Sequence, residues 1–152
     1  MRQEVISGWG GCPSIRANLQ EIRSSQDINP TLEGSSSLTI RGLGRSYGDS
    51  SLGNQVMITT QMDRLLSFDE KTGILECEAG VCLEDLILVF VPKGWFVPVT
   101  PGTRFVTVGG MFASDVHGKN PVSYTHLRAH ETREDRGCRL VGAKKHSGGG
   151  GG

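Results

Sequence analysis

The apolar periodicity of this sequence ends near Asn120, and that limit constrains the fold more than any other feature. Before it, short runs of alternating apolar and polar residues are separated by Gly, Pro and Asn. Residues 121–152 contain one aromatic residue, no apolar face and a final run of five glycines. Such a segment cannot bury enough apolar surface to offset its conformational entropy. We therefore expect a folded body in residues 1–120 and a disordered tail in residues 121–152.

The charge distribution also separates the body from the tail. Up to Pro121 the sequence has 10 basic and 13 acidic residues, and after it 6 basic and 3 acidic residues. An acidic body argues against nucleic-acid binding, which needs a basic surface. No apolar run reaches the length of about 20 residues that spans a membrane, and the four cysteines match no zinc spacing. These features predict a cytoplasmic protein with reduced thiols, no bound metal and no nucleic-acid partner.

Short strands mixed with single helices predict an α+β domain. The predicted strands are SSLTIRG, QVMITT and the two arms of a hairpin, LLSFDEKTGILECEAGV, whose turn contains Gly73. The predicted helices are SIRANLQEIRSS, with Ile15, Leu19 and Ile22 on one face, and CLEDLILVFVPKG. WFVPVTPGT is expected to be extended, and RFVTVGGMFASDVHG to be a loop that leads into a short helix.

A glycine-rich loop at residues 41–51, RGLGRSYGDSS, follows a predicted strand. Its glycines permit positive φ angles and close approach of a ligand to the backbone. Consecutive N–H groups in such a loop form a concave anion site, which suits a diphosphate. The spacing matches neither G-x-G-x-x-G nor a P-loop, so an ordinary turn between strands remains an alternative. The candidate ligand-binding residues here are Gly42, Gly44, Arg45, Ser46, Tyr47 and Gly48.

A second glycine-rich loop, residues 101–120, lies about 55 residues further on. Gly109 and Gly110 near a helix start are expected to present N–H groups to a second phosphate or to a flavin carbonyl. His117 could act as a general acid or base, or could serve only as a hydrogen-bonding residue of the loop. The candidate binding residues here are Gly102, Gly109 and Gly110, the hydroxyl donors Thr103 and Thr107, and His117.

Four segments together resemble a known family. ISGWGGCPS, RGLGRSYGDSS, LECEAGVCLEDL and GWFVPVTPGTRFVTVGGMFASDVHGKN resemble the start of the FAD-binding (PCMH-type) domain of the vanillyl-alcohol oxidase superfamily. Within it they are most similar to the decaprenylphosphoryl-ribose 2-oxidase subfamily. The resemblance covers roughly residues 7–120.

The resemblance implies a small mixed sheet with flanking helices, a cofactor and a reaction. The FAD diphosphate would be held by residues of the first loop, namely Gly42, Leu43, Gly44, Arg45, Ser46, Tyr47 and Gly48. The rest of FAD would be lined by residues of the second loop, namely Pro101, Gly102, Thr103, Val108, Gly109, Gly110, Ser114 and His117, with His117 near the flavin ring. Some relatives attach flavin covalently through a His in the first loop. Arg45 stands at that position here, which implies non-covalent FAD. Ser114 replaces a Cys common in the most similar relatives. The base and the substrate-binding residues of the family lie in a later domain, so this chain contains no assigned catalytic residue.

The parent protein would be an FAD-dependent oxidoreductase acting on the CH–OH group of a sugar or lipid-linked sugar. A partner reductase could complete an epimerisation, and the full-length protein could associate with a membrane. The alternatives are an aldonolactone or alditol oxidase, and a non-enzymatic small binding module with a basic tail. As a partial domain, residues 1–120 would be inactive alone and would not retain stoichiometric flavin.

The tail has an explanation outside biology. Residues 122–132 match the translation of a transposase-type sequencing adapter, and the terminal glycines resemble poly-G from lost signal. We therefore expect residues 121–152 to be non-native. The alternatives are a metal site formed by His126 and His130 on a helix, an RNA or acidic-membrane contact through the basic residues, and a flexible linker.

Overall fold

The computed structural model describes residues 2–34, 36–116, 138–141 and 143–144. Its strands are β1 (Arg2–Ser7), β2 (Ser14–Glu21), β3 (Thr39–Arg41), β4 (Gln55–Ile58), β5 (Leu65–Asp69), β6 (Ile74–Cys77), β7 (Trp95–Phe96), β8 (Cys138–Val141) and β9 (Ala143–Lys144). Its α-helices are α1 (Ile28–Glu33), α2 (Leu83–Phe90) and α3 (Val108–Ala113). No helix in the described part of the chain is long and apolar enough to cross a membrane.

The first sheet has four strands in the order β1-β2-β4-β3. β1 pairs antiparallel with β2, whereas β4 pairs parallel with both β2 and β3. The sheet is therefore mixed, as the sequence predicted. The segment that contains α1 connects β2 to β3, and residues 42–54 connect β3 directly to its neighbour β4. The first glycine-rich loop is this second connection.

Both faces of β4 are buried, which explains its continuous apolar sequence. Val56 packs with Ile6, Ala17 and Leu19 on one face. Met57 points to the opposite face, as alternation along a strand requires, and packs in a cluster that also contains Ile22, Met62 and Ile28 of α1. β4 is thereby fixed in register, and the loop that precedes it is anchored at its end.

The predicted hairpin is confirmed as β5 and β6, with Gly73 at a φ of 71° in the turn. The second predicted helix is confirmed as α2, and its Leu86 and Phe90 pack with Leu75 of β6 in the second apolar cluster. Aromatic contacts extend this cluster, because the Phe68 ring lies 4.7 Å from Phe90 and 5.4 Å from Trp95 between ring centroids. This core supports the 79–81 turn on which α3 rests.

One helix prediction was wrong. Residues 14–21 form β2, not a helix, and Ala17 and Leu19 are buried from alternate positions between β1 and β4. Ile15 and Leu19 satisfy both periods, since residues four apart share a face in a helix and in a strand. Pairing with two neighbouring strands therefore decided the conformation. β1 and α1 were not predicted at all.

The structure describes two short segments of the predicted tail. β8 adds antiparallel to β6 and β9 adds antiparallel to β7. The free backbone edges of β6 and β7 offer hydrogen-bonding partners to any extended segment, which the apolar pattern alone did not reveal. The remainder of the tail, including His126 and His130, lies outside the described residues.

Candidate functional site

A cleft of about 730 Å³ separates the two glycine-rich loops. This volume falls in the range typical of small-molecule sites. The end of β3 and the first loop form one wall, and residues 101–103 together with α3 form the other. The two walls touch at the base, where a Cβ on Gly42 would clash with the Thr107 side chain. The expectation that both loops line one elongated site is consistent with this geometry.

The backbone of the first loop is arranged to bind an anion. Gly44 and Gly48 have φ angles of 65° and 64°, in the region that favours glycine. Within the described part of the chain, none of the N–H groups of residues 43–48 donates a hydrogen bond. The Ser46 Oγ atom is buried and also has no partner among these residues. Unsatisfied donors gathered in one loop suit a ligand with several acceptor oxygens.

Arg41 supports this loop from beneath. Its Nη1 donates to the Ser51 carbonyl oxygen at 3.2 Å and to Ser51 Oγ at 2.9 Å, and its Nη2 donates to the Ser7 carbonyl oxygen at 2.7 Å. The guanidinium occupies the space that a Gly44 side chain would need. Burial, and then the nearby charge of Arg45, lowers the pKa of Arg41 from its ordinary value. The group stays charged, because arginine does not deprotonate in proteins.

Arg45 is the one charged residue among the described residues that line the cleft. Its Nε donates to the Phe105 carbonyl oxygen at 3.2 Å, and its guanidinium carbon lies 4.8 Å from the centroid of the Trp9 ring. The four ion pairs found in the described ranges involve other arginines, so neither Arg41 nor Arg45 is paired with a carboxylate there. Two positive charges without acidic partners favour an anionic ligand.

The N–H groups of Gly109 and Gly110 were expected to face a ligand, but both donate hydrogen bonds within the protein. The Gly109 N–H donates to the Ala79 carbonyl oxygen at 2.8 Å, and the Gly110 N–H donates to Thr107 Oγ1 at 3.1 Å. The Val108 N–H is likewise bonded, to the Val81 carbonyl oxygen at 2.9 Å. These bonds fix the start of α3 on the 79–81 turn. No N–H group of these three residues is left for a phosphate or a flavin carbonyl.

Most of the predicted site residues line the cleft. Those that do are Gly42, Leu43, Gly44, Arg45, Ser46, Tyr47, Pro101, Gly102, Thr103, Gly110 and Ser114. Gly48, Val108 and Gly109 belong to the same two segments but are not part of the lining. His117 lies outside the described residues. The individual contacts of these side chains with a cofactor remain predictions.

Sequence reasoning missed several lining residues, of which Trp9, Ser50 and Ser51 are the polar or aromatic ones. It also assigned no role to Arg41. Trp9 is the most distant from both loops in sequence, so no local motif indicated it. Arg41 and Ser51 stand at the two ends of the first loop, and the loop brings them together, so that Arg41 donates to Ser51. The position of Arg41 at the start of the loop was therefore the sequence feature that could have indicated its role.

The family to which this geometry belongs is shown by sequence comparison. The sequence profile described as FAD binding domain matches residues 32–133, which is more than half of the chain. The chain belongs to the FAD binding domain family. Its cofactor is FAD, and the first glycine-rich loop lies within the matched residues.

Curated relatives are oxidases and dehydrogenases. Decaprenylphosphoryl-beta-D-ribose oxidase of Mycolicibacterium smegmatis is 46% identical over 122 residues, which cover 76% of this chain and 26% of that protein. D-lactate dehydrogenase of Anaerostipes hadrus is 36% identical over 78 residues, which cover 51% of this chain and 16% of that protein. This chain therefore spans about a quarter or less of the length of these relatives.

Solved structures show the same fold. Cholesterol oxidase from Brevibacterium sterolicum superposes with a TM-score of 0.67 at 14% identity, over 77% of this chain and 24% of that chain. Alkyldihydroxyacetonephosphate synthase superposes with a TM-score of 0.60 at 17% identity, over 72% of this chain and 23% of that chain. The architecture is thus that of the first part of an FAD-binding domain.

Proposed function

We propose that this chain binds the diphosphate of FAD in its first glycine-rich loop, as part of an oxidoreductase that acts on a CH–OH group of a sugar. The proposal is carried by two features of the described residues that coincide in one loop. The N–H groups of residues 43–48 donate no hydrogen bond there, and the guanidinium groups of Arg41 and Arg45 have no acidic partner there. Backbone donors and unpaired cations in one loop match the charge and the oxygen atoms of a diphosphate.

The residues present fit FAD in other respects. Ser46 Oγ is a buried polar atom without a partner, and a phosphate oxygen beside it would remove the cost of leaving it unsatisfied. The opposite wall, with Pro101, Val106 and Met111, is mostly apolar and suits the flat faces of a flavin. Arg45 supplies no nucleophile at the position where some relatives carry the linking His, so we propose that FAD is held non-covalently.

The chain contributes binding and orientation to the reaction. FAD, when bound, supplies the redox chemistry by accepting a hydride from the alcohol carbon. The first loop fixes the diphosphate, and α3 together with residues 101–103 forms the wall against which the remainder of the cofactor would lie. A cofactor held at its diphosphate has fewer positions available to its flavin ring, where the reaction takes place. Proton removal and substrate binding are proposed to depend on residues beyond this chain.

The proposed substrate is a lipid-linked sugar such as a decaprenylphosphoryl ribose, supported by the 46% identity to the mycobacterial oxidase. An aldonolactone or alditol oxidase remains the alternative. A partner reductase that completes an epimerisation, and a cytoplasmic protein with membrane association at full length, belong to the same proposal.

The test is a calorimetric titration of the 152-residue chain with ADP and with FAD. Both ligands carry the diphosphate, so both should bind in a 1:1 ratio and lose affinity as salt is raised, since counter-ions screen exposed charges. Arg45→Gln should weaken both ligands by about three- to tenfold, as loss of one charge-assisted contact predicts. Riboflavin, which lacks the diphosphate, serves as the comparison ligand and should be unaffected by Arg45→Gln.

A chain that is folded by circular dichroism but binds neither ADP nor FAD would contradict the proposal. Binding of ADP does not require that flavin survive purification. We expect the chain as isolated to lack stoichiometric visible flavin absorbance, because it spans only about a quarter of the length of the mycobacterial oxidase.

A further inference from the structure

The segment formed by Ser7, Gly8 and Trp9 lies before the residues that match the family profile, which begin at residue 32. It nevertheless contacts the first glycine-rich loop at several points. The Trp9 N–H donates to the Ser46 carbonyl oxygen at 3.0 Å. A Cβ on Gly8 would lie 2.6 Å from the Gly48 carbonyl oxygen and 2.9 Å from that of Ser46. The segment is therefore pressed directly against the backbone that faces the cleft.

The same segment contacts both unpaired guanidinium groups. The Ser7 carbonyl oxygen accepts the 2.7 Å hydrogen bond from Arg41 Nη2. The Trp9 ring lies 4.8 Å from the Arg45 guanidinium, and the Arg45 side chain reaches the Phe105 carbonyl oxygen, between residues 101–103 and α3. Like charges close together repel, and the pKa of Arg41 is lowered first by burial and then by the charge of Arg45. Holding both in place without an acidic residue needs neutral partners, which a carbonyl dipole and an aromatic face provide.

We infer that Ser7, Gly8 and Trp9 form a positioning clamp for the diphosphate site, in which Trp9 sets the position of the Arg45 guanidinium. Neither Ser7 nor Gly8 lines the cleft, whereas Trp9 does so at its edge. The inference rests on the proposed function, because it assigns the orientation of a group that acts on the diphosphate. It extends the functional unit to residues that the family profile leaves out.

The neutral character of the clamp has a consequence for the ligand. An acidic residue in place of Trp9 would hold Arg45 more tightly but would cancel its charge. An aromatic face attracts the guanidinium and leaves the positive charge available to a phosphate. Trp9 is half exposed, so its replacement removes little buried surface and should not unfold the domain.

The experiment is a double-mutant cycle on the 152-residue chain, with the dissociation constant for ADP as the readout. Trp9→Leu should weaken ADP binding by about two- to fivefold, the value of one exposed cation–π contact. Trp9→Phe keeps an aromatic face and should restore most of that loss. In an Arg45→Gln background, Trp9→Leu should change the affinity by less than about 1.5-fold, since the group it positions is gone.

Leu88→Ala is the matched control, because Leu88 is exposed and lies on α2 away from the cleft. It should leave the ADP affinity unchanged. If Trp9→Leu loses the native circular dichroism spectrum, the dissociation constants for ADP of Trp9→Phe and Trp9→Met are compared instead. Equal losses from Trp9→Leu in the presence and absence of Arg45 would overturn the clamp and leave the proposed function standing. Failure of the unsubstituted chain to bind ADP would overturn both.

Discussion

Glu78 is the buried carboxylate of the described residues, with 4% of its surface exposed. Its Oε2 accepts the Arg64 N–H at 3.0 Å, and its Oε1 accepts Arg64 Nη2 at 2.6 Å and Nε at 3.1 Å. In return, the Glu78 N–H donates to the Arg64 carbonyl oxygen at 3.0 Å. These contacts join the end of β6 to the start of β5. They hold the pKa of Glu78 below its ordinary value of 4.5, chiefly through the hydrogen bonds from the Arg64 side chain.

Glu78→Gln should therefore lower the free energy of unfolding at neutral pH by about 1–3 kcal/mol, the range for hydrogen bonds to a charged group. A carboxyl with a lowered pKa stabilises the fold above its unfolded pKa, and this contribution is lost as the pH falls through the folded pKa. The difference between the two proteins should accordingly shrink below about pH 4.5. Urea denaturation at neutral and acidic pH measures it.

Glu76→Gln is the control for that experiment. Glu76 lies on β6, two residues before Glu78, but accepts only a Ser67 hydroxyl at 3.0 Å, with no arginine paired to it in the described ranges. Glu76→Gln should lower the free energy of unfolding by less than Glu78→Gln does at every pH. A Glu78→Gln effect of equal size at acidic and neutral pH would show that shape, not charge, is responsible.

At single positions, the sequence predicted conformation better than it predicted hydrogen-bond partners. The need for glycine at positions 44 and 48 is a local property, and both have positive φ angles. The partner of the Gly109 N–H is the Ala79 carbonyl, 30 residues away. In the sequence, a glycine at the start of α3 is as compatible with close packing as with ligand binding. Only the tertiary contact of Gly109 with Ala79 distinguishes the two explanations.

Among the elements, the packing of the 79–81 turn on the 59–62 turn depends on Gly80. Its N–H donates to the Met62 carbonyl oxygen at 2.8 Å. A Cβ there would lie 2.6 Å from that oxygen and would also clash with the Thr59 carbonyl oxygen. Both obstacles are backbone atoms, so neither can move aside as a side chain can.

Gly80→Ala should destabilise the protein by about 1–3 kcal/mol, or by more if the 59–62 turn cannot shift. The thermal or urea midpoint measures this. Gly10→Ala is the matched control, because nothing lies within 4 Å of a Cβ at Gly10 and its φ is not positive. If Gly80→Ala and Gly10→Ala had equal midpoints, the close contact of Gly80 with the 59–62 turn would be contradicted.

The elements that the sequence predicted are those whose turn or termination is local. The hairpin was predicted from Gly73, and the end of α2 from Pro92 and Gly94, whose φ is 82°. β2 was misassigned because its apolar spacing fits two periods, and the choice is made by β1 and β4 on either side. α1 was missed because six residues give too little periodicity to detect.

For the whole molecule, we propose that residues 121–152 do not come from the gene that encodes the domain. The order of β8 and β9 does not test this, since open sheet edges accept an extended segment of almost any sequence. Amplification of the source DNA across the Asn120 codon is decisive. The reading frame should continue with a His codon and then the remainder of an FAD-binding domain. If it encodes PVSYTHLRAHET to a stop codon, the tail is native and its basic residues need a function.

The connection between β3 and β4 has a consequence for how this domain responds to its ligand. Parallel neighbours are usually joined by a helix, but here residues 42–54, which include the diphosphate-binding loop, make the connection. The loop that holds the cofactor thus also sets the position of an edge strand. Binding of the cofactor to the loop and ordering of the edge strand β3 are therefore thermodynamically linked. A cell short of flavin would hold this protein in a form whose sheet edge opens more often, and proteases would remove that form first.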